Sequence, residues 1–465
     1  MSLAPVGLRR GTSQPVTADV RTLDAATPVD ATEGGTGRRV VWVEFGGETS
    51  SGFRGVPLSS TTAVLIEEAA RTAVAEHLPL VVVVASTGSD IVEGVPALDG
   101  WGRLAKALVD CSGVVPTVIV VDGPAVSGPA LLLGVADLVV MTADSYGFVN
   151  GPVMVEEFTG VRVTTAELGG AAELARNTGV PSLVVADRDA AVGAVADLLS
   201  YLPGSVDEQP PRWPSDDPPD RPCPEAGALI PATSTGSYDV RKVVGVIVDD
   251  GSMLELRDRW AANVVTALAT VDGRPVGIVA NQPIVLAGTL DIPASQKAAR
   301  FVSFCDAFNL PILTFVDTPG FYPGKDLEWR GMIRHGAQLV FAYGRATVPR
   351  ICVILRKSYG GAYIVMDSKR MGNDVCLAWP WAELAVMGAG QAAAVIQRRA
   401  TPEERAAFEA DYTDRLLNPY IAAERGYIDG VIDPATTRRE IAVALESLAD
   451  KREQLRPRKH GNEPC

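Results

Sequence analysis

The sequence contains one strand-to-turn pattern twice, and this duplication limits the possible folds more than any other feature. An apolar run that begins with Leu-Pro leads into a small-residue turn at residues 78–90 and again at residues 310–320. A second apolar run begins with Val-Pro at residues 115–116 and again at residues 348–349. Repetition of a whole strand-and-turn pattern predicts two copies of one structural unit.

The spacing within the two copies also matches. The first and second prolines are separated by 37 residues in one copy, from Pro79 to Pro116, and by 38 in the other, from Pro311 to Pro349. Twelve residues after the second proline, the copies reach Gly128 and Gly361 respectively. Matched spacing that ends on matched small-residue turns favours a true internal repeat over chance.

Strands and helices alternate along the chain. The strands are apolar throughout, which is typical of a parallel sheet covered on both faces, so the sequence predicts an α/β fold. Strands are expected at 39–45, 78–84, 115–121, 242–248, 310–316 and from 348 onwards. Helices are expected at 61–76, 99–110 and 293–308, and a hairpin turn at Asp272-Gly273.

A proline-rich segment divides the two copies. Its composition argues against a regular core element and favours a linker. The expected organisation is a flexible tail at 1–38, a domain at 39–203, a linker at 204–236, a domain at 237–455 and a second tail at 456–465.

The charge and the cysteines exclude several classes of protein. A net charge of −14 argues against binding to nucleic acid or to an anionic membrane surface. No apolar run approaches the ~18 residues of a membrane span, and the chain does not begin with a signal-peptide pattern. The six cysteines include no Cys-x-x-Cys pair, and no metal-ligand cluster is apparent. The cytoplasm is therefore the expected compartment, with no metal bound.

The small-residue turns are the candidate chemical sites. At a strand-to-helix turn without bulky side chains, backbone N–H groups are exposed and can stabilise an oxygen that becomes negative. Two glycines at such a turn can also serve tight packing alone, so this signal by itself is weak. Neither His77 nor His460 resembles a catalytic base, and His335 is better explained as a helix histidine with local partners. Two backbone-donor pockets suit a reaction in which two carbonyl oxygens become negative in turn.

Several segments, all of them in the second half, resemble a known family. These segments are Ser237–Arg241, Asp272–Pro283, Lys297–Val302, Cys305–Phe308, Asp317–Phe321, Gly331–Ala337, Gly360–Tyr363 and Ala378–Pro380. They resemble the carboxyltransferase (β) subunits of biotin-dependent acyl-CoA carboxylases of the propionyl-/acetyl-CoA carboxylase type, over residues 78 to 435. The resemblance implies two tandem crotonase-like (ClpP/crotonase) domains, and a hexamer built as a trimer of dimers. It also implies transfer of CO₂ from carboxybiotin to the α-carbon of an acyl thioester.

The resemblance assigns roles to individual residues. The N–H groups of Gly361 and Ala362 would form one oxyanion site, and those of Ser127 and Gly128 the other; which site serves biotin stays open. Further substrate-binding positions would be Gly88, Gly151, Gly320, Phe321, Tyr363 and Ile364. Ile364 would lie in the acyl pocket and favour an altered or more apolar acyl group, unless it is simply a core residue. Decarboxylated biotin would accept the α-proton, so no protein base is required.

The first half departs from the family pattern at four positions, Thr87, Asp90, Pro129 and Leu174. Asp90 would place an anion beside the thioester site, and Pro129 has no N–H to donate. The chain has no Met-Lys-Met biotin-attachment sequence, so the biotin would come from a separate biotin carboxylase/biotin carrier subunit. The alternatives are a decarboxylase of a malonyl-type thioester and a non-catalytic assembly partner. The acyl group, on coenzyme A or on a carrier protein, stays open.

Overall fold

The structure, a computed structural model, describes residues 16–23, 37–46, 55–233 and 235–464. The chain divides into two compact units, unit 1 up to Pro211 and unit 2 from Arg212. The division falls inside the proline-rich segment. The later part of the predicted linker at 204–236 makes backbone hydrogen bonds within unit 2, from Trp213 to Gly273 and from Cys223 to Ala435.

Unit 1 alternates strands and helices. Its elements are β1 (Val16–Leu23), β2 (Arg38–Phe45), β3 (Val56–Leu58), α1 (Ser60–Ala75), β4 (Leu80–Ser89), α2 (Val95–Cys111), β5 (Thr117–Val126), α3 (Gly128–Val135), β6 (Leu138–Thr142), β7 (Tyr146–Phe148), α4 (Pro152–Thr159), α5 (Thr165–Gly169), α6 (Ala171–Asn177), β8 (Leu183–Val185) and α7 (Arg188–Ser200).

The sheet of unit 1 has the order β1-β2-β4-β5-β6-β8, with β3 on β4 and β7 on β5. Every pair is parallel except β1 with β2. Residues 80–86 of β4 are buried without interruption, as expected for a parallel strand covered on both faces. The carboxyl ends of the adjacent strands β4 and β5 therefore lie side by side, and both lead into small-residue turns.

Unit 2 repeats this plan. Apart from short 3₁₀ and π turns, its elements are α8 (Pro224–Ala228), α9 (Val240–Ile247), β9 (Leu254–Leu256), β10 (Val264–Val271), β11 (Arg274–Asn281), α10 (Ile292–Ala307), β12 (Ile312–Thr318), α11 (Lys325–Trp329), α12 (Met332–Arg345), β13 (Arg350–Tyr359), α13 (Gly360–Val365), β14 (Val375–Ala378), β15 (Glu383–Ala385), α14 (Ala389–Ile396), α15 (Pro402–Tyr412), α16 (Pro419–Glu424), β16 (Gly430–Val431) and α17 (Thr437–Ser447).

The sheet of unit 2 has the order β16-β14-β13-β12-β11-β10-β9, with β15 on β13. The strands from β11 to β16 pair in parallel, and β9, β10 and β11 pair antiparallel. The β10–β11 hairpin turns at Asp272 and Gly273, whose φ angles of 53° and 70° fit the left-handed turn that the sequence predicted. The adjacent strands β12 and β13 again end side by side.

Two predictions about local structure are wrong. Residues 242–248, expected as a strand, belong to the helix α9, because the buried residues Val240, Val243, Val244 and Ile247 recur at helical spacing. Asp239 caps this helix by accepting a hydrogen bond from the Arg241 N–H.

The second error concerns the N-terminal tail. Regular structure begins before Arg39, since residues 16–23 form β1 and pair along their whole length with β2. The remaining residues of the predicted N-terminal tail, 1–15 and 24–36, lie outside the described residues. Residues 456–464 form no helix or strand, yet they contact α12, where the Gln338 side chain donates to the Pro464 carbonyl at 3.1 Å. Among the helices described, none is long and apolar enough to cross a membrane.

Candidate active site

In unit 2 the turn after β13 leaves two backbone donors free. Gly360, with φ of 60°, turns the chain from the strand into α13. Gly361 is exposed and Ala362 is buried. Across the described part of the chain, the N–H groups of these two residues find no hydrogen-bond partner. Two adjacent free N–H groups at the start of a helix can stabilise a negatively charged oxygen, as the sequence analysis proposed for this pair.

The turn after β12 lies against the turn after β13. Gly320, with φ of 140°, is followed by Phe321, which pairs with Leu290 as an isolated bridge. A Cβ atom on Gly361 would lie 3.6 Å from the Phe321 ring, and one on Gly336 of α12 would lie 3.4 Å from it. The structure therefore brings the predicted site residues Gly320, Phe321 and Gly361 close together.

The two residues after Ala362 differ in exposure. Tyr363 is half-buried, and burial raises the pKa of its hydroxyl, so this group stays protonated at neutral pH. Ile364 has 41% of its surface exposed. The interpretation of Ile364 as a core residue is therefore wrong, and the side chain is free to contact a ligand or another subunit.

A buried polar network, which the sequence analysis missed, holds the ends of β12 and β13 together. The Asp317 carboxylate accepts from the Tyr238 hydroxyl at 2.8 Å, from Arg356 Nε at 3.0 Å and from the Lys357 N–H at 3.1 Å. Arg356 also donates to the carbonyls of Thr233 and Gly236. Burial raises the pKa of Asp317, and the charge of Arg356 opposes this shift. The available signal was a lone Asp at the end of an apolar strand, but no spacing rule identifies its partners.

In unit 1 the corresponding turn offers fewer donors. Ser127 has φ of 62°, and its N–H already donates to the Phe148 carbonyl at 2.9 Å. Because Pro129 has no N–H, the Gly128 N–H is the donor that remains at the start of α3; among the described residues it has no partner. The prediction that Ser127 donates to a substrate oxygen is therefore corrected: strand β7 uses that N–H instead.

The other predicted positions of unit 1 surround this turn. A Cβ atom on Gly88 would lie 3.5 Å from the Ser127 Cβ, and one on Gly151 would lie 3.4 Å from the Phe148 ring. The Trp101 ring, which the sequence analysis did not single out, covers Gly128, where an added Cβ would lie 3.1 Å from it. The structure thus gathers Gly88, Ser127, Gly128 and Gly151 around one turn.

Two of the family departures in unit 1, Asp90 and Leu174, have structural explanations. The Asp90 carboxylate accepts from the N–H groups of Val92 and Glu93, at 2.9 and 3.4 Å, so it caps its own loop. Leu174 packs against the hydrophobic core of unit 1. In unit 2, the imidazole of His335 lies 3.2 Å from Gln296 and 3.3 Å from Gln338, as expected for a helix histidine with local partners.

Comparison with known proteins identifies the family. The carboxyl transferase domain matches residues 36–463. The chain belongs to the carboxyl transferase family. This confirms the predicted resemblance, and with it the fold of two crotonase-like units and the carboxyltransferase activity.

Three known proteins are similar to this carboxyltransferase over most of its length. It is 43% identical to the propionyl-CoA carboxylase beta chain of Roseobacter denitrificans, over 83% of this chain and 76% of that one. It is 41% identical to the methylmalonyl-CoA decarboxylase subunit alpha of Veillonella parvula, over 88% and 80%. A crystal structure of the transcarboxylase 12S hexamer with methylmalonyl-coenzyme A bound superposes with a TM-score of 0.90 at 41% identity, covering 96% of this chain and 85% of that chain.

Proposed function

We propose that this carboxyltransferase moves CO₂ from carboxybiotin to the α-carbon of an acyl-CoA. The observation that carries this proposal is the pair of free N–H groups on Gly361 and Ala362, in a chain that belongs to the carboxyl transferase family. When an acyl-CoA loses its α-proton, its thioester oxygen becomes negative, and two N–H donors at this turn suit that charge. The Gly128 N–H in unit 1 suits a second oxygen, that of the biotin ureido group. Which oxygen each turn receives stays open.

Carboxybiotin would be supplied by a separate biotin carboxylase and carrier subunit, and it provides the CO₂ and, after decarboxylation, the base. The protein's own contribution is therefore positioning and charge stabilisation. The buried Asp317–Arg356–Tyr238 network holds the two strand ends that carry the second turn. Within the described residues, no group of three or more His, Cys, Asp or Glu side chains could hold a metal ion. The proposed reaction does not require this chain to bind a metal ion.

The acyl group is proposed to be short. The names of the Roseobacter denitrificans and Veillonella parvula relatives refer to propionyl-CoA and methylmalonyl-CoA, both of which carry short acyl groups. Exposed Ile364, next to the oxyanion turn, offers an apolar surface for the acyl chain. A polar acyl group would fit this surface less well.

A homo-oligomer, of the hexameric kind seen in the transcarboxylase 12S relative, is also proposed. The helix α4 has no buried residue within this chain. It exposes Val153 at 70%, Met154 at 47% and Phe158 at 83%. Contiguous exposed apolar side chains of this kind mark subunit interfaces.

The second candidate function is decarboxylation of a malonyl-type thioester, the kind of reaction for which the Veillonella parvula relative is named. One assay separates the two functions. The purified chain is incubated with methylmalonyl-CoA in the presence and absence of biotin carrier protein. Loss of CO₂ from the thioester only when biotin carrier is present, with carboxylated carrier as product, supports transfer. Release of free CO₂ without carrier, unaffected by avidin, would favour a simple decarboxylase.

A further inference from the structure

Ser127, at the turn that follows β5, has a backbone conformation that favours glycine. Its φ and ψ angles are 62° and −134°. A residue with a Cβ atom is strained in this region, whereas glycine adopts it freely. Since Gly128 matches Gly361 in the repeat, Ser127 matches Gly360, whose φ of 60° is nearly the same. Unit 1 therefore keeps a side chain at a strained position where unit 2 has glycine, and this difference requires an explanation.

The protein itself does not use the Ser127 hydroxyl. The residue is exposed, and within the described residues its Oγ atom has no hydrogen-bond partner. The Ser127 Cβ lies 3.5 Å from the position that a Cβ on Gly88 would occupy, so the side chain faces the turn after β4. The Gly88 N–H on that turn donates to the Ser86 hydroxyl at 3.3 Å. The Ser127 hydroxyl is therefore an available donor where the turns after β4 and β5 meet.

The first turn has one backbone donor fewer than the second. The Ser127 N–H donates to the Phe148 carbonyl at 2.9 Å and Pro129 has no N–H, which leaves that of Gly128. Because Ser127 and Gly128 are consecutive, their covalent geometry keeps the hydroxyl oxygen within about 5 Å of the Gly128 nitrogen. Two donors this close can both bond to one oxygen at about 2.8–3.0 Å each. The side chain can therefore supply the donor that the backbone lacks.

Resting on the proposed function, we propose that the Ser127 hydroxyl is a catalytic donor of the first oxyanion site. Together with the Gly128 N–H, it donates to the substrate oxygen that becomes negative at this turn. Serine hydroxyls can serve in this role beside backbone N–H groups. The hydroxyl keeps its proton and forms no covalent bond, so its contribution is charge stabilisation alone. The strain at Ser127 is then a consequence of placing this donor next to Gly128.

Ser127→Ala tests the hydroxyl, because it removes the donor and keeps the strained Cβ atom. We expect kcat for carboxyl transfer to propionyl-CoA to fall by about 10²-fold with little change in KM, since the donor acts on charge that develops in the transition state. The Tm should not change, because the hydroxyl has no partner in the described protein. Ser447→Ala, exposed on α17, is the control and should keep the wild-type kcat. An unchanged kcat in Ser127→Ala would overturn the proposal.

Ser127→Gly separates a catalytic role from a structural one. Glycine relieves the strain, so the Tm should rise by about 2–4 °C while kcat falls as in Ser127→Ala. If Ser127 served the fold alone, glycine, the residue that unit 2 has at this position, would keep the wild-type kcat. A Ser127→Gly variant with wild-type kcat would therefore also overturn the proposal.

The same assay distinguishes this inference from the proposed function. Carboxyl transfer by the wild type that Ser127→Ala strongly reduces supports both. Transfer by the wild type that Ser127→Ala leaves unchanged contradicts the role of the hydroxyl and leaves the proposed function intact. A wild type that carboxylates no acyl-CoA contradicts the proposed function, and the role of Ser127 falls with it.

Discussion

Two neighbouring backbone N–H groups, on Gly361 and Ala362, carry the central chemical argument. Their side chains contribute little: Gly361 has none, and Ala362 is buried. What distinguishes them is that their N–H groups have no other partner in the described structure, whereas the Ser127 N–H is taken by Phe148. The backbone hydrogen bonds therefore leave two adjacent N–H groups free at the second turn and only that of Gly128 at the first, so the second turn is the better candidate for the proposed oxyanion site.

Gly361→Asp should abolish activity while leaving the fold intact. A carboxylate at the exposed turn would repel the negative oxygen that the turn is proposed to hold, so kcat should fall by at least the ~10²–10³-fold that removal of one oxyanion donor typically costs. The unfolding temperature should not change, since an added Cβ meets the Phe321 ring at an ordinary 3.6 Å. Steady-state carboxyl transfer and a thermal melt check both parts.

The matched control for this variant is Gly193→Asp in α7. A Cβ atom at Gly193 meets nothing within 4 Å. The Gly193→Asp variant should therefore retain full activity. Equal activity of both Asp variants would mean that the Gly361 turn does not contact the reacting oxygen.

Gly128→Ala tests whether the first turn is still functional. The new methyl would lie 3.1 Å from the Trp101 ring, so the ring or the turn must move by a few tenths of an ångström. Such a displacement should reduce carboxyl transfer by about 10-fold or more if the Gly128 N–H binds a reacting oxygen. Gly134→Ala, in the same helix with nothing within 4 Å, is the control. Full activity of Gly128→Ala would support an inactive first turn.

At the scale of helices and strands, the sequence predicted the strands that end in the two turns but not what holds their ends. Apolar runs and prolines were sufficient to place β4, β5, β12 and β13. The Asp317–Arg356 pair escaped prediction because its partners come from segments far apart in the chain. The sequence also did not predict that the Ser127 N–H donates to the Phe148 carbonyl, because the spacing along one strand does not show which donors a neighbouring strand uses. The helix α9 was misread because its valines are also good strand formers.

One helix, α10, uses a buried lysine to hold a loop. Lys297 Nζ donates to the carbonyls of Arg257, Trp260 and Ala261 at 3.0, 2.9 and 3.4 Å. Arg257 and Ala261 have positive φ angles of 56° and 47°, so this loop is kept in an unfavourable conformation. Burial lowers the pKa of Lys297 from 10.5 to about 8.

The stability of the wild type should therefore depend on pH in a defined direction. Between pH 8 and 10.5 the unfolded chain binds a proton at Lys297 that the folded chain has lost, so stability rises with pH in this window. Lys297→Met should be less stable throughout, because three buried carbonyls lose a donor. Denaturant titrations at several pH values should show the wild-type advantage growing from pH 8 to 10.5. If the free energies of unfolding of the wild type and of Lys297→Met changed in parallel with pH, the lowered pKa of Lys297 would be contradicted.

At the scale of the whole molecule, the exposed apolar face of α4 connects the structure to assembly. Phe158→Arg should convert the proposed oligomer to smaller species, because a charge would be buried in the interface. Analytical ultracentrifugation measures this directly. Val443→Arg, on the exposed side of α17, is the control and should keep the wild-type mass. An unchanged oligomer in Phe158→Arg would exclude α4 from the interface.

The most direct test of the account is transfer of a labelled carboxyl group. Carrier protein carboxylated on its biotin with ¹⁴C is mixed with the purified chain and propionyl-CoA. We expect ¹⁴C in methylmalonyl-CoA, formed only when this chain is present and abolished by Gly361→Asp. Absence of label from every acyl-CoA tested, or equal labelling by Gly361→Asp, would contradict the proposal that the turn of unit 2 performs carboxyl transfer.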